Sequence, residues 1–182
     1  MSVKLTTAAG VFLALLFACS GAAAAALTAA PQPVKPVATT LYSGRWYEIA
    51  RTPNKMQTDC QGSTNDFSGW SSGNFAVVQT CHKGSAHGPT QTFNAKGRIL
   101  PASENAKIKL GYFGGLISQE YWIVDHADDN AWAIMATPNG HYVWLMSRRP
   151  ILDPGIKAAA LGRLQALGFD CSRLAFPQQP PG

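Results

Sequence analysis

Three groups of residues in this chain have types and spacing that chemistry could use. Gly69-Trp70-Ser71-Ser72-Gly73 matches Gly-x-Ser-x-Gly, the turn that presents a nucleophilic serine in many hydrolases. That turn needs a strand before it and a helix after it. Here a strand pattern follows, from Phe75 to Thr80, so the stretch reads as a hairpin turn. Asp125, Asp128 and Asp129 gather carboxylates in one turn, where a hard cation could bind weakly, but a solvated loop is the favoured reading. His82, His87, His126 and His141 stand singly in predicted loops or turns, and no two have the i, i+4 spacing of a helical zinc site. No glycine loop of the dinucleotide or Walker type occurs. The residues offer no positive sign of an enzyme, and neither cofactor nor metal is expected.

The elements that would position any site come next. The 182 residues fit one domain, with 14% charged and 46% apolar residues, a globular composition. The formal net charge is +5, but apart from Arg148-Arg149 the basic residues are scattered singly. That pattern makes no nucleic-acid stripe. It leaves a mild attraction to anionic lipid, or simply scattered surface lysines.

Residues 1–26 read as a signal peptide. Lys4 supplies the positive start, and Val11 to Ala18 is an apolar run too short to span a membrane. Two cleavage sites fit. Leu16-Phe17-Ala18-Cys19 resembles a bacterial lipobox, in which Cys19 would become the diacylated first residue, and Ser20 after it suits outer-membrane sorting. Cleavage within Ala22 to Ala26 would instead leave a soluble periplasmic or secreted protein. Either way the chain is exported. Residues 27–40 carry Pro31, Pro33 and Pro36 and read as a semi-rigid spacer.

Export permits disulfides. With Cys19 used by lipid or removed, Cys60, Cys81 and Cys171 remain. Cys60 and Cys81 flank a candidate hairpin and are the favoured pair. Strict alternation puts them on opposite faces, so the bridge needs a bulge near Cys60-Gln61-Gly62. Cys60–Cys171 is the other pairing.

Strand patterns follow one another from residue 44 to residue 148. They cover Thr64 to Phe67, Phe75 to Thr80, Thr90 to Leu100 with Gly97 as a possible bulge, Ala106 to Leu110, Glu120 to Asp125, Ala131 to Ala136 and His141 to Arg148. With the strand that opens at Trp46, that makes about eight, joined by short turns. Such a meander has two unpaired edges unless it closes into a barrel; a sandwich is the alternative. One helix follows. Asp153 can cap it, Pro154 suits its first position, Ile156, Ala160, Leu164 and Leu167 share a face, and Gly168 can end it. Residues 177–182 read as a flexible tail.

Three stretches carry a family resemblance. Gly44-Arg45-Trp46-Tyr47, followed by Glu48-Ile49-Ala50-Arg51, resembles the first signature of the lipocalins. Tyr121 to Ala136, with Asp129 and Trp132-Ala133 but with Asn130 where an aromatic is usual, resembles the second. Trp144 to Pro150 is similar to the third. The likeness covers residues 41–176 and is nearest to the bacterial outer-membrane lipoproteins and the apolipoprotein D-like members. It implies an all-β, eight-stranded antiparallel up-and-down barrel with a C-terminal α-helix packed outside. It also implies that Arg148 packs over Trp46, beside Gly44, and closes the barrel's base.

The same resemblance sets the phase of the strands. Phe67, Phe75, Val77, Ile108, Leu110, Tyr112, Tyr121, Ile123, Ala133, Met135, Tyr142, Trp144 and Met146 would then face inward. Such a wall suits a long apolar ligand with a small polar head, a fatty acid or a lysophospholipid, bound for transport, storage or membrane maintenance. The same side chains could instead fill a closed barrel that serves as an envelope scaffold. A third reading is a cofactor-binding or enzymatic barrel for isoprenoid or haem. It would need a histidine or paired carboxylates inside, and Glu48 is the one charged residue expected near Trp46. The expected partners are a small hydrophobic ligand and, through acylated Cys19, the outer membrane on its periplasmic side. No nucleic acid is expected, and the chain would be a monomer or weak dimer.

Overall fold

A strand whose backbone groups are unpaired on one side needs a neighbour, and here every strand has two. A computed structural model describes residues 27–180. Its strands are β1 (Gly44–Arg51), β2 (Cys60–Ser71), β3 (Asn74–Lys83), β4 (Thr90–Ile99), β5 (Lys107–Tyr112), β6 (Ile117–His126), β7 (Trp132–Ala136) and β8 (Val143–Ser147). Each pairs antiparallel with the next, and β8 pairs back onto β1, so the barrel is closed in chain order and a sandwich is ruled out. The signal-peptide and Cys19 expectations lie outside the described residues.

Closure gives the barrel two ends. The base holds the β2–β3 turn, residues 100–106 between β4 and β5, and residues 127–131 between β6 and β7. The mouth holds residues 52–59, 84–89, 113–116 and 137–142. The Gly-x-Ser-x-Gly stretch lies in the base hairpin. Gly69 to Ser71 extend β2, and Ser72-Gly73 make the turn at positive φ, 48° and 82°.

Alternation divides the apolar residues into two cores. One fills the barrel. The other lies outside, where Ile49, Val124, Ile134 and Leu145 meet α1 (Pro154–Ala166). Asp153 caps α1 by accepting from the Gly155 and Ile156 amides, and Ala160 and Leu164 are fully buried. Leu167 packs on the same core, but Ile156 does not join the stripe and stays 43% exposed in the first turn.

Three sequence expectations need correction. Gly97 makes no bulge, since the β3–β4 register runs unbroken through Phe75↔Gly97. A Cβ there would lie 2.1 Å from the Phe75 ring, so the glycine makes room for that ring. Residues 27–40, read as a semi-rigid spacer, also dock on the barrel. Ala30, Val34 and Val37 donate backbone hydrogen bonds to Pro138, Val124 and Glu104, and Ala30 and Val37 are buried. The prolines keep the segment extended while residues between them pair with the barrel. The tail is also docked as far as residue 180. Pro177 is buried, Gln178 exchanges hydrogen bonds with Gln61 and Gly62, and the Gln179 side chain donates to the Glu48 and Ser63 carbonyls.

Candidate functional site

The base is shut by aromatic and cationic side chains from four places in the chain. Gly44 opens β1 at φ 66°, a left-handed conformation that a side chain would strain. Trp46, 1% exposed, donates its indole N–H to the Leu41 carbonyl at 2.9 Å. The Arg148 guanidinium lies 3.9 Å from the Trp46 ring centroid. It donates to the carbonyls of Ser43 and Arg45 through one nitrogen and of Thr40 and Leu41 through the other. Removal from water holds its pKa below the usual arginine value. Tyr42 is fully buried, stacks on Phe75 with centroids 5.2 Å apart, and donates its hydroxyl to the Asn105 carbonyl.

Of the thirteen side chains expected to face inward, twelve join the interior cluster. Tyr142 does not. It precedes β8 and is 37% exposed at the mouth, its ring 6.2 Å from that of Trp144. Alternation holds only where the strand does. The interior also takes Val37, Leu41 and Tyr42 from outside the strands.

Towards the mouth the lining turns polar, and most of this was missed. Glu48 is 2% exposed, and Arg51 is 4% exposed. They sit three residues apart, so strict alternation sends one of them outward. The β1–β8 register shifts between Glu48 and Ala50, and this bulge turns Arg51 inward as well. Arg51 approaches Glu48 at 3.3 Å and donates to the carbonyls of Gln57 and Cys60. Gln57 and Asn65 donate side-chain N–H groups to the two Glu48 oxygens, at 2.7 and 3.2 Å. From Asn65 the network runs on through Gln79 to the Tyr112 hydroxyl, which lies 3.4 Å from that of Tyr121. Trp144 donates its indole N–H to Gln57.

Burial governs the protonation of this group. It raises the Glu48 carboxyl above its ordinary value, opposed by Arg51, Asn65 and Gln57. It lowers Arg51, opposed by Glu48. It also raises the Tyr112 and Tyr121 hydroxyls, so both remain neutral donors near neutral pH.

The cavity beside this cluster, lined in part by Met56 and Phe93, holds about 50 Å³. A second space, over Leu41, Trp46, Phe67 and Met146, holds about 20 Å³. Side chains therefore occupy nearly all of the interior. A larger groove of about 380 Å³ lies outside the barrel, between Leu27, residues 140–143 and Phe169, and shares no lining residue with the interior cavities. Histidine is absent from the lining of both interior cavities.

The other groups singled out in the sequence are engaged by the fold. Cys60 and Cys81 form a disulfide with Cα atoms 5.2 Å apart, and the β2–β3 register shift between Gln61 and Thr64 supplies the bulge that alternation demanded. Cys171 is buried beside the Leu161 carbonyl. Asp125 pairs with Arg163 at 2.8 Å and Asp128 with Lys35 at 2.6 Å. His126, at the end of β6, sets its ring nitrogens against the carbonyls of Ala127 and Pro36 and so clasps the N-terminal segment. Among the described residues, no group of three or more His, Cys, Asp or Glu could hold a metal ion.

Comparison with known proteins agrees with this architecture. The family model described as a lipocalin-like domain matches residues 37–179. The outer membrane lipoprotein Blc of Vibrio cholerae is 26% identical over 152 residues, covering 82% of this chain and 88% of the relative. Blc of Escherichia coli K12 is 27% identical over 139 residues, covering 76% and 77%. Among solved structures, insecticyanin from the tobacco hornworm Manduca sexta superposes with a TM-score of 0.66 at 16% identity, covering 82% of this chain and 84% of that one. That likeness speaks for the fold alone. With the closed eight-stranded barrel, the outer helix and a family match over most of its length, the chain belongs to the lipocalin family.

Proposed function

We propose that this lipocalin binds an acyl lipid in its barrel, for transport, storage or maintenance of the bacterial envelope. The observation that carries the reading is the polar cluster of Glu48, Asn65, Gln79, Tyr112 and Tyr121, set inside an apolar barrel just below the mouth. A lipid head would meet hydroxyl and amide groups there. Its chain would run down between Phe67, Ile123, Met135 and Met146, gaining about 0.8 kcal/mol per buried CH₂. The buried Glu48 ranks the heads. A fatty-acid carboxylate would lie near a second carboxylate, whereas the glycerol hydroxyl of a lysophospholipid would donate to this cluster. A lysophospholipid is therefore the preferred ligand and a fatty acid the second.

Binding requires the barrel to open. An apolar cavity on the order of 150 Å³ binds a molecule as small as benzene, and the cavity beside the cluster holds about 50 Å³. Met56 on residues 52–59, half exposed, and the partly buried Phe93 are the side chains that must move. The export leader and the names of the Vibrio and Escherichia relatives support an envelope location, with Cys19 as the site of an anchoring acyl group. The role is that of a binding protein rather than an enzyme, acting as a monomer or weak dimer. A closed scaffold is the second reading, and the filled interior is the observation that favours it.

Native mass spectrometry of the protein purified from its own envelope, with lipid extraction, separates the two. A bound acyl lipid at one per chain is expected, and Tyr112→Phe with Gln79→Leu should weaken lysophospholipid binding about tenfold. A chain that carries no lipid, and takes up neither added lysophospholipid nor palmitate, is the scaffold.

A further inference from the structure

Ten large apolar side chains are exposed among the described residues, and five of them stand at the mouth: Met56, Phe113, Leu116, Ile117 and Tyr142. Three belong to one hairpin tip, between β5 and β6, where Phe113, Leu116 and Ile117 are 60%, 88% and 57% exposed. The stretch Leu110 to Gln119 contains no charged residue. Phe113, Gly114 and Gly115 all hold positive φ, at 51°, 71° and 97°. For Phe113 that conformation is costly, so the tip presents its aromatic ring to solvent on a strained backbone. Nothing inside the barrel needs this.

The start of the described chain lies at the same end. Leu27 packs where side chains on Gly140 and Gly168 would fall, and Ala30 bonds to Pro138 in the mouth segment 137–142. The chain then descends past Val124 to the base at Glu104. From Leu27 back to Cys19 is eight residues, at most about 28 Å when extended. An acyl group on Cys19 would therefore tether the barrel from its mouth end.

We infer that the mouth docks on a lipid bilayer, with the Phe113–Ile117 tip inserted among the head groups and the base turned away. The opening through which a lipid would pass then faces the membrane. This rests on the envelope location proposed above, and not on lipid binding inside the barrel.

The test uses the full chain as purified from the envelope, on vesicles of phosphatidylethanolamine and phosphatidylglycerol with brominated acyl chains. Wild type already carries an exposed tryptophan near the base, Trp70, at 41% exposure. Its fluorescence should change little with bromination. Leu116→Trp adds one at the tip, and its emission should be strongly quenched. Combining Leu116→Trp with Phe113→Ser and Ile117→Ser should reduce that quenching about tenfold, since the remaining apolar area no longer holds the tip in the bilayer. Quenching of wild type as strong as that of Leu116→Trp would put the base on the membrane and overturn the proposal. So would an unquenched Leu116→Trp, and if that protein sediments as a dimer, the partner of the tip is a second copy instead. None of these readouts depends on whether lysophospholipid binds, so failure of the ligand reading and failure of the docking are separable.

Discussion

The two ends of one barrel handle polar groups in opposite ways. At the base, Arg148 sits at the surface, half-buried, and its donors go to four backbone carbonyls and its plane to Trp46. No side-chain carboxylate is involved, so the arrangement is indifferent to pH across the range where carboxylates titrate. At the mouth, a carboxylate and a guanidinium are both taken out of water and depend on each other. The base is a plug, and the mouth holds a polar cluster bound together by charge. Exposed apolar side chains are more numerous at the mouth, where Met56, Phe113, Leu116, Ile117 and Tyr142 stand, than at the base, where Trp70 and Ile151 do.

The base should show the largest loss when broken. Trp46 is nearly fully buried and holds both Leu41 and Arg148, so Trp46→Ala should cost about 3–5 kcal/mol in urea unfolding. A loss below about 1 kcal/mol would mean that the base is not a plug.

Arg51→Met should cost nearly as much at neutral pH, about 3–5 kcal/mol, because it strands the buried Glu48 carboxylate. Here pH separates the two ends. The folded-state value of Glu48 is raised by burial, so its contribution is fully present below the ordinary glutamate value and is lost as pH rises through the raised one. Without Arg51 that value rises further. The cost of Arg51→Met should therefore shrink towards pH 4, while that of Trp46→Ala stays constant. Unfolding curves at pH 4 and pH 8 give both, and a pH-independent cost for Arg51→Met would remove Glu48 from the argument.

These two sites also differ in how legible they were. The base rested on short motifs, Gly44-Arg45-Trp46-Tyr47 and the residues around Arg148, and both lie within the family resemblance. The strands were visible because turn residues punctuate alternating runs, and alternation, with the phase that the family resemblance implied, placed twelve of thirteen side chains in the interior cluster. Alternation fails where a strand slips. The β1 bulge hid Arg51, and Tyr142 was assigned to a strand that had not yet begun. Only at Cys60 did the pattern expose its own failure, because a disulfide was known to need a matching face. Gln57, Asn65 and Gln79 carried no signal at all, being polar residues that become a site only once three separate segments meet. The segment 27–40 was misjudged for a similar reason, since proline content describes stiffness and is silent about what an extended chain lies against.

The disulfide links β2 to β3 near the mouth. Cys60→Ala with Cys81→Ala opens a loop of 21 residues' separation and should cost about 3 kcal/mol. The Cys60 carbonyl accepts from Arg51, so the loss should reach the polar cluster too and weaken the proposed lipid binding. An equal loss of stability with binding unchanged would show that the clamp acts on the unfolded chain alone.

The smallest effect tests the base by chemistry rather than by size. Arg148→Lys keeps the positive charge and can still place it over Trp46, a contact worth about 0.5–2 kcal/mol when desolvated. A lysine cannot reproduce the planar fork that reaches Ser43 and Arg45 on one side and Thr40 and Leu41 on the other. If the ring contact dominates, Arg148→Lys should stay within about 0.5 kcal/mol of wild type, with Arg148→Ala well below it. If the carbonyls dominate, both variants should lose similar amounts, because Thr40 to Arg45 would no longer be tied to the end of β8. The four carbonyl contacts, one of them at 2.6 Å, favour the second outcome. The segment that frays would then be the one leading from Val37 into Trp46, which hydrogen exchange at the Trp46 and Tyr47 amides would report.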